Sequence, residues 1–326
     1  MNNILLYFDW YRLNAVMIPI KKSICLLLLP ICILGCNSIT EKDIVIKPLP
    51  AKTEEAQAKI ISVLSGNEKT NNSQYIINSR TTVNEKRIAR AYLSQIIKQL
   101  NFTPATHNYQ EPNTNAFIDL LIGPFRGVNL YTKVPSKTSS NEYVVLGAHY
   151  DTARNCPGAN DNASAVAVLY GVLKKLSQVQ SRNKNVLIVF FDQEEEGLIG
   201  SKAFAKYLIR NNFNIHSVHT FDQIGWDKDA DKAIELELPT PEIEKSYKTK
   251  ADQLNIPVYI TKVNSTDHHS FREAGFTAVG ITEEYVGGDT TPFKDTENDT
   301  FDTIDVEYIR STTQLIFEVI QQIITE

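Results

Sequence analysis

The run VLIVFF at residues 186–191 sets the tightest limit on how this chain can fold. A strand that alternates polar and apolar residues can show one face to water. Six apolar residues in succession need cover on both faces, as in a sheet with helices packed on either side. The run ends abruptly in charge, with Asp192 and Glu194 to Glu196 placing four acids within five positions. A buried carboxylate without a partner costs several kcal/mol, so these acids are either solvated or face a cation.

The same alternation of strand and helix patterns extends along the chain. GVNLYTKV (127–134), EYVVLGAHY (142–150), VHTFDQIGW (218–226), PVYITKV (257–263) and TAVGITEEY (277–285) read as strands. TVNEKRIARAYLSQIIKQL (82–100) puts Ala89, Leu93, Ile96 and Leu100 near one helical face, and ASAVAVLYGVLKKL (163–176) spaces Val168, Val172 and Leu176 by four. SKAFAKYLIRN (201–211), PEIEKSYKTKADQL (241–254) and the amphipathic 305–324 complete the helices. The expected fold is α/β, a three-layer α/β/α sandwich around a mixed, mostly parallel sheet, in one domain over residues 58–326. Ligands of such sheets bind beyond the carboxyl ends of the strands.

The first 57 residues have a different character. From Met17 the chain carries Lys21 and Lys22, an apolar run and then Gly35-Cys36, the layout of a secretory signal. It resembles a bacterial lipoprotein signal, with Met17 as an alternative start. That resemblance implies removal of residues 1–36 up to an acylated Cys36, anchorage in a lipid bilayer of the bacterial cell envelope and, because Asn37 follows, the outer membrane facing the periplasm. The alternative is an uncleaved anchor, for which the apolar stretch is short against the ~20 residues a span needs. Residues 37–57, polar with Pro48 and Pro50, read as a flexible tether. With Cys25 and Cys32 removed in the signal and Cys36 acylated, Cys156 would have no intramolecular partner. The net charge is −5 and no Lys/Arg cluster is present, which argues against nucleic acid as a partner.

Chemistry-bearing residues follow the strands in turn. His149 and Asp151 are two apart and share a side of an extended backbone, an arrangement that orients an imidazole for a metal or merely makes a surface pair. Asp161 and Asn162, in PGANDNAS, stand before a buried helix and suit an N-cap or a ligand. Glu194 and Glu195 point different ways on an extended chain, so one can bind a cation while the other reaches a water. Asp222 ends the next apolar strand, and TDHHSF (266–271) and KDTENDT (294–300) bring His268, His269, Asp295 and Asp299.

AHYD, PGANDNAS, DQEEEGLIGS, FDQIG, TDHHSF and NDT, in that order, resemble the co-catalytic zinc aminopeptidases of the Zn-dependent exopeptidase superfamily, whose relatives include glutamate carboxypeptidase and glutaminyl cyclase. The resemblance implies two Zn2+ ions bridged by Asp161, one held also by His149 and Asp222, the other by Glu195 and a residue near the C-terminus. It further implies Glu194 as general base, Asp151 as the partner of His149, a cis peptide after Asp161, and peptide substrates cut at the N-terminal bond. Asp295 stands where the family has histidine. Either Asp295 ligates in its place, or His268 or His269 does, or the second metal is weakly held or absent. An aspartate there is a harder ligand and shifts preference from zinc toward Mn2+ or Co2+. A glutaminyl cyclase-like acyl transfer and a non-catalytic binding lipoprotein of the same fold are the alternatives.

Overall fold

The structure, a computed structural model, describes residues 44, 46–70, 75–113 and 116–326. Along the chain run α1 (Thr53–Leu64), α2 (Val83–Gln99), β1 (Pro104–Glu111), α3 (Ala116–Ile122), β2 (Phe125–Val134), β3 (Glu142–His149), α4 (Ala165–Leu176), β4 (Asn185–Phe191), α5 (Ile199–Arg210) and β5 (Asn214–Phe221). They are followed by β6 (Ile234–Glu237), α6 (Pro241–Leu254), β7 (Val258–Thr261), α7 (Asp267–Glu273), β8 (Ala278–Thr282) and α8 (Val306–Thr325). The strands form one eight-stranded sheet in the order β1-β2-β4-β3-β5-β8-β6-β7.

β4, β3, β5 and β8 are mutually parallel and make up the centre. Antiparallel pairings of β1 with β2, β2 with β4 and β6 with β8 flank them. The expected mixed sheet is therefore present, with its parallel part in the middle. Both faces of the apolar run are covered as its composition demands. Val186, Ile188 and Phe190 join a core cluster with Ile60 of α1, Leu93 of α2, Val168 of α4 and Ile316 of α8. Leu187, Val189 and Phe191 face the other way, against Phe204 and Leu208 of α5 and Phe271 of α7.

Local chemistry sets the helix ends. Thr82 and Glu85 make a reciprocal capping box at α2, and α6 starts on Thr240-Pro241 and stops where Asn255 turns left-handed at φ 56°. The expected helix over 163–176 begins only at Ala165, because residues 159–164 form a kinked turn.

The signal and Cys36 lie outside the described residues, and among the described residues no helix is long and apolar enough to cross a membrane. The tether assigned to residues 37–57 is not free over its described part. Ile44 and Ile46 are buried in the core, α1 begins at Thr53, and Ala56 and Gln57 are buried. The packed domain thus starts ahead of residue 58. The cause is that α1 lies over α4 and α8, where the Gln57 amide donates to Ala167 O at 3.0 Å and Thr313 Oγ1 at 2.8 Å. Replacing Gln57 by Ala is expected to lower stability by about 1–3 kcal/mol, the cost of breaking a buried hydrogen-bonded contact, measured by urea unfolding.

Candidate metal centre

Because the four central strands are parallel, their carboxyl ends meet along one edge. His149 is the last residue of β3, Glu194 and Glu195 follow β4, and Asp222 follows β5. The kinked turn before α4 brings Asp161 to the same place. His149 Nε2 lies 3.2 Å from Asp161 Oδ1, 3.4 Å from Asp222 Oδ1 and 3.9 Å from Glu194 Oε2. Ligand atoms of His149, Asp161 and Asp222 fall within 4.8 Å of one another, and so do those of Asp161, Glu195 and Asp295. Asp161 belongs to both triads, the position expected of a bridging carboxylate.

The loop that presents Asp161 is held from three sides. The Asp299 carboxylate accepts the N–H groups of Asn160 at 2.8 Å and Asp161 at 3.0 Å. The Asn160 amide donates to Glu283, at 3.1 and 3.0 Å to its two oxygens. Arg80, fully buried, donates to the carbonyls of Leu64, Tyr150, Pro157 and Gly158 at 2.6–2.8 Å. Gly158 has φ 64°, and a Cβ there would sit 2.4 Å from Asp161 O, so this turn requires glycine. The Asp161-Asn162 peptide is cis, as the resemblance implied.

Asp151 does more than was expected of it. Its Oδ1 is 3.6 Å from His149 Nδ1, while its carboxylate also accepts the N–H groups of Glu194 at 3.1 Å and Glu195 at 3.3 Å. One side chain therefore registers the histidine against the two glutamates. Glu195 Oε1 accepts the Ala153 N–H at 2.8 Å. The remaining acids of the run find other partners: Asp192 pairs with Lys86 at 2.9 Å, and Glu196, exposed, accepts from Gln193 at 2.6 Å.

The electrostatics are those of a site with too much negative charge. Burial and the neighbouring Asp222, Asp267 and Asp161 carry the Glu194 carboxyl well above its ordinary range, against the pull of His149. Glu195 is pushed up to about 8 by burial and by Asp161. His149 is raised although burial opposes it, because Glu194 and Asp222 surround it. Burial works against the charge on Asp222 too, but His149 beside it outweighs burial and holds it below its usual value. Asp161 Oδ1 is buried with no hydrogen-bond donor. A donor set of one imidazole and several carboxylates, with Asp161 common to both triads and one of its oxygens accepting no hydrogen bond among the described residues, fits divalent metal ions.

Of the alternatives for the last ligand, Asp295 reaches the centre and His268 does not. His268 is buried on α7 with Nδ1 2.8 Å from Thr266 Oγ1 and 3.3 Å from Glu237 Oε2, and it joins no metal-capable group with the site residues. The Nδ1 side of the imidazole is turned toward Glu237, and Nε2 is buried with no hydrogen-bond partner among the described residues. His269 pairs with Glu273 at 3.3 Å. Sequence reasoning passed over Lys294, whose Nζ is 3.9 Å from Asp161 Oδ2; its place directly before Asp295 was the available signal. It also passed over the anchoring role of Arg80, which nothing in the local pattern marks.

The sequence profile of peptidase family M28 matches residues 129–320, well over half of the chain. The chain belongs to peptidase family M28. Aminopeptidase YwaD of Bacillus subtilis is 28% identical over 202 residues, 56% of this chain and 42% of that protein. Leucine aminopeptidase 1 of Blastomyces gilchristii is 25% identical over 240 residues, 67% of this chain and 59% of that protein. The chain thus spans less than two thirds of the length of these relatives. Among solved structures, a zinc aminopeptidase from Bacillus subtilis superposes with a TM-score of 0.72 at 15% identity, covering 86% of this chain and 97% of that one. A glutaminyl cyclase from Bacteroides thetaiotaomicron superposes at 0.68 and 17%, covering 84% and 99%. These structural likenesses establish the fold alone.

A proton balance checks the electrostatics. The Glu195 carboxyl, pushed up to about 8, and the raised His149 imidazole favour bound protons that a divalent ion must displace. Zinc uptake is therefore expected to release protons at pH 7, and apparent affinity to fall as pH drops below about 8, by up to about tenfold per unit for each proton displaced. Calorimetric titration in two buffers of different ionisation heat measures the release; zinc uptake with no proton release contradicts this charge state.

Proposed function

We propose that the chain is a metal-dependent aminopeptidase that hydrolyses N-terminal peptide bonds, with His149, Asp161 and Asp222 holding one zinc ion and Asp161, Glu195 and Asp295 a second. The observation that carries this reading is the pair of overlapping triads sharing Asp161; Glu194 completes neither of them and enters only a third group, with His149 and Glu195. Aminopeptidases of the same family and fold support it.

When bound, zinc supplies a Lewis acid that polarises a peptide carbonyl and acidifies water. The chain's own groups do the rest. Glu194 takes a proton from the attacking water and returns it to the leaving amine; the carboxyl's raised proton affinity suits a group that must both accept and give. Asp151 fixes the Glu194 backbone and the His149 ring in one register, acting as a positioning residue. Asp295 adds a negative charge where the family's histidine has none, and the Lys294 ammonium, raised in proton affinity by Asp222, Asp161 and Asp295 although burial opposes it, offsets that charge. The lipid anchor at Cys36 and the outer-membrane location remain part of the proposal on the strength of residues 17–37 alone. The intact mass of the mature N-terminus reads out the acylation, and separation of inner from outer membranes reads out the location.

The Bacteroides glutaminyl cyclase, matched over almost its whole length, motivates the second reading, an acyl transfer in which a substrate's own amine displaces ammonia. Leucine p-nitroanilide and a Gln-initiated peptide separate the two chemistries. Hydrolysis of the anilide is expected, and Glu194→Gln should lower kcat by about 10²–10⁴-fold with metal content unchanged. Cyclisation without hydrolysis sinks the aminopeptidase reading, and undiminished turnover in the variant sinks the role given to Glu194.

A further inference from the structure

A second acidic assembly lies outside this centre. The loop after β5 carries Asp227, Asp229 and Asp231, whose carboxylate oxygens fall within 4.8 Å of one another, and Asp229 makes a further such group with Glu284 and Asp289 from the loop after β8. Clustered surface acids alone mean little, since water solvates them. Glu284 is different: only 9% of it is exposed, its carboxylate accepts no hydrogen bond from the described residues, and its ligand oxygen lies within 4.8 Å of those of Asp229 and Asp289. Among the described residues no lysine, arginine or histidine lies within ion-pair distance of any of the five acids: Lys228, between Asp227 and Asp229, pairs with neither, and Lys232, next to Asp231, turns away to Glu307 at 3.6 Å.

We propose that Asp229, Glu284 and Asp289, with Asp227 and Asp231 beside them, form a second cation site that takes a hard divalent ion of the calcium class. All donors are carboxylate oxygens, with neither histidine nor cysteine, which disfavours zinc and suits calcium. The protonation energetics agree. Burial and the nearby Asp231, Asp229, Asp289 and Glu235 raise the Glu284 carboxyl to about 7, as like charges gathered at one place do.

The surroundings are already shaped to keep the acids together. Asp289 Oδ2 accepts the N–H groups of Lys228 at 2.7 Å and Asp229 at 3.0 Å, and Oδ1 accepts Trp226 Nε1 at 2.8 Å, leaving Oδ1 a free lone pair. Glu284 Oε1 would lie 2.7 Å from a Cβ at Gly287, so the glycine makes room for the carboxylate. An ion here would tie together the loop that begins at Asp222 and the loop that leads to Asp295, joined already by the Trp226–Phe293 ring contact with centroids 5.8 Å apart. Its consequence would be a firmer frame for the catalytic edge.

The test uses full-length protein loaded with zinc, titrated with CaCl2 under buffered free zinc. One additional calcium per chain is expected, with Kd on the order of 10⁻⁴–10⁻³ M. At saturation Tm should rise by about 2–4 °C. Glu284→Gln and Asp229→Asn, isosteric and outside the catalytic centre, should each weaken calcium binding at least tenfold while keeping zinc content and folded circular dichroism. No calcium heat and no Tm shift in the wild-type protein overturns the proposal, as does calcium binding that both variants retain unchanged.

Discussion

The structure is organised around charge repulsion confined to one sheet edge. Asp161, Glu194, Glu195, Asp222 and Asp295 gather around the single imidazole of His149, and a protein that collects so many carboxylates must supply either cations or protons. Burial and mutual repulsion raise Glu194 and Glu195 above the carboxylate range, so without a metal they favour bound protons. Everything nearby can be understood as scaffolding that resists the tendency of these groups to spread apart.

That scaffolding is mostly backbone hydrogen bonding to charged side chains that do not themselves reach the centre. Asp151 clamps the two glutamates, Asp299 clamps the loop of Asp161, and Arg80 binds four carbonyls beneath it. Hydrogen bonds to charged groups are among the stronger ones in proteins. The parallel strands set the spacing: adjacent strands are about 4.8 Å apart, so residues at successive strand ends fall within reach of one ion or an adjacent pair.

Much of this was legible in the residues. VLIVFF demanded a sheet covered on both faces, and it has one. His149, Glu194, Glu195 and Asp222 converge as their places at strand ends required, and Asp161 and Asp295 join them from a turn and a loop. Other features were hidden for physical reasons. Residues 37–57 read as a tether because prolines and polar residues lead into α1, whose burial depends on contacts with α4 and α8 that no local pattern encodes. β6 escaped notice because its sequence IELE places Glu235 and Glu237 in a buried strand, where Glu235 is satisfied by the N–H groups of Val286 and Gly287. His268 looked like a spare ligand because sequence adjacency to an acid does not tell which way a helix turns its imidazole.

The proposal that Asp161 joins two ions is tested most directly by anomalous scattering at the zinc edge from crystals of protein grown with zinc. The expected map holds two peaks flanking the Asp161 carboxylate, one against His149 and Asp222 and the other against Glu195 and Asp295. A map with no peak at the carboxyl edge, or with metal bound to His268 and not to Asp295, would contradict it.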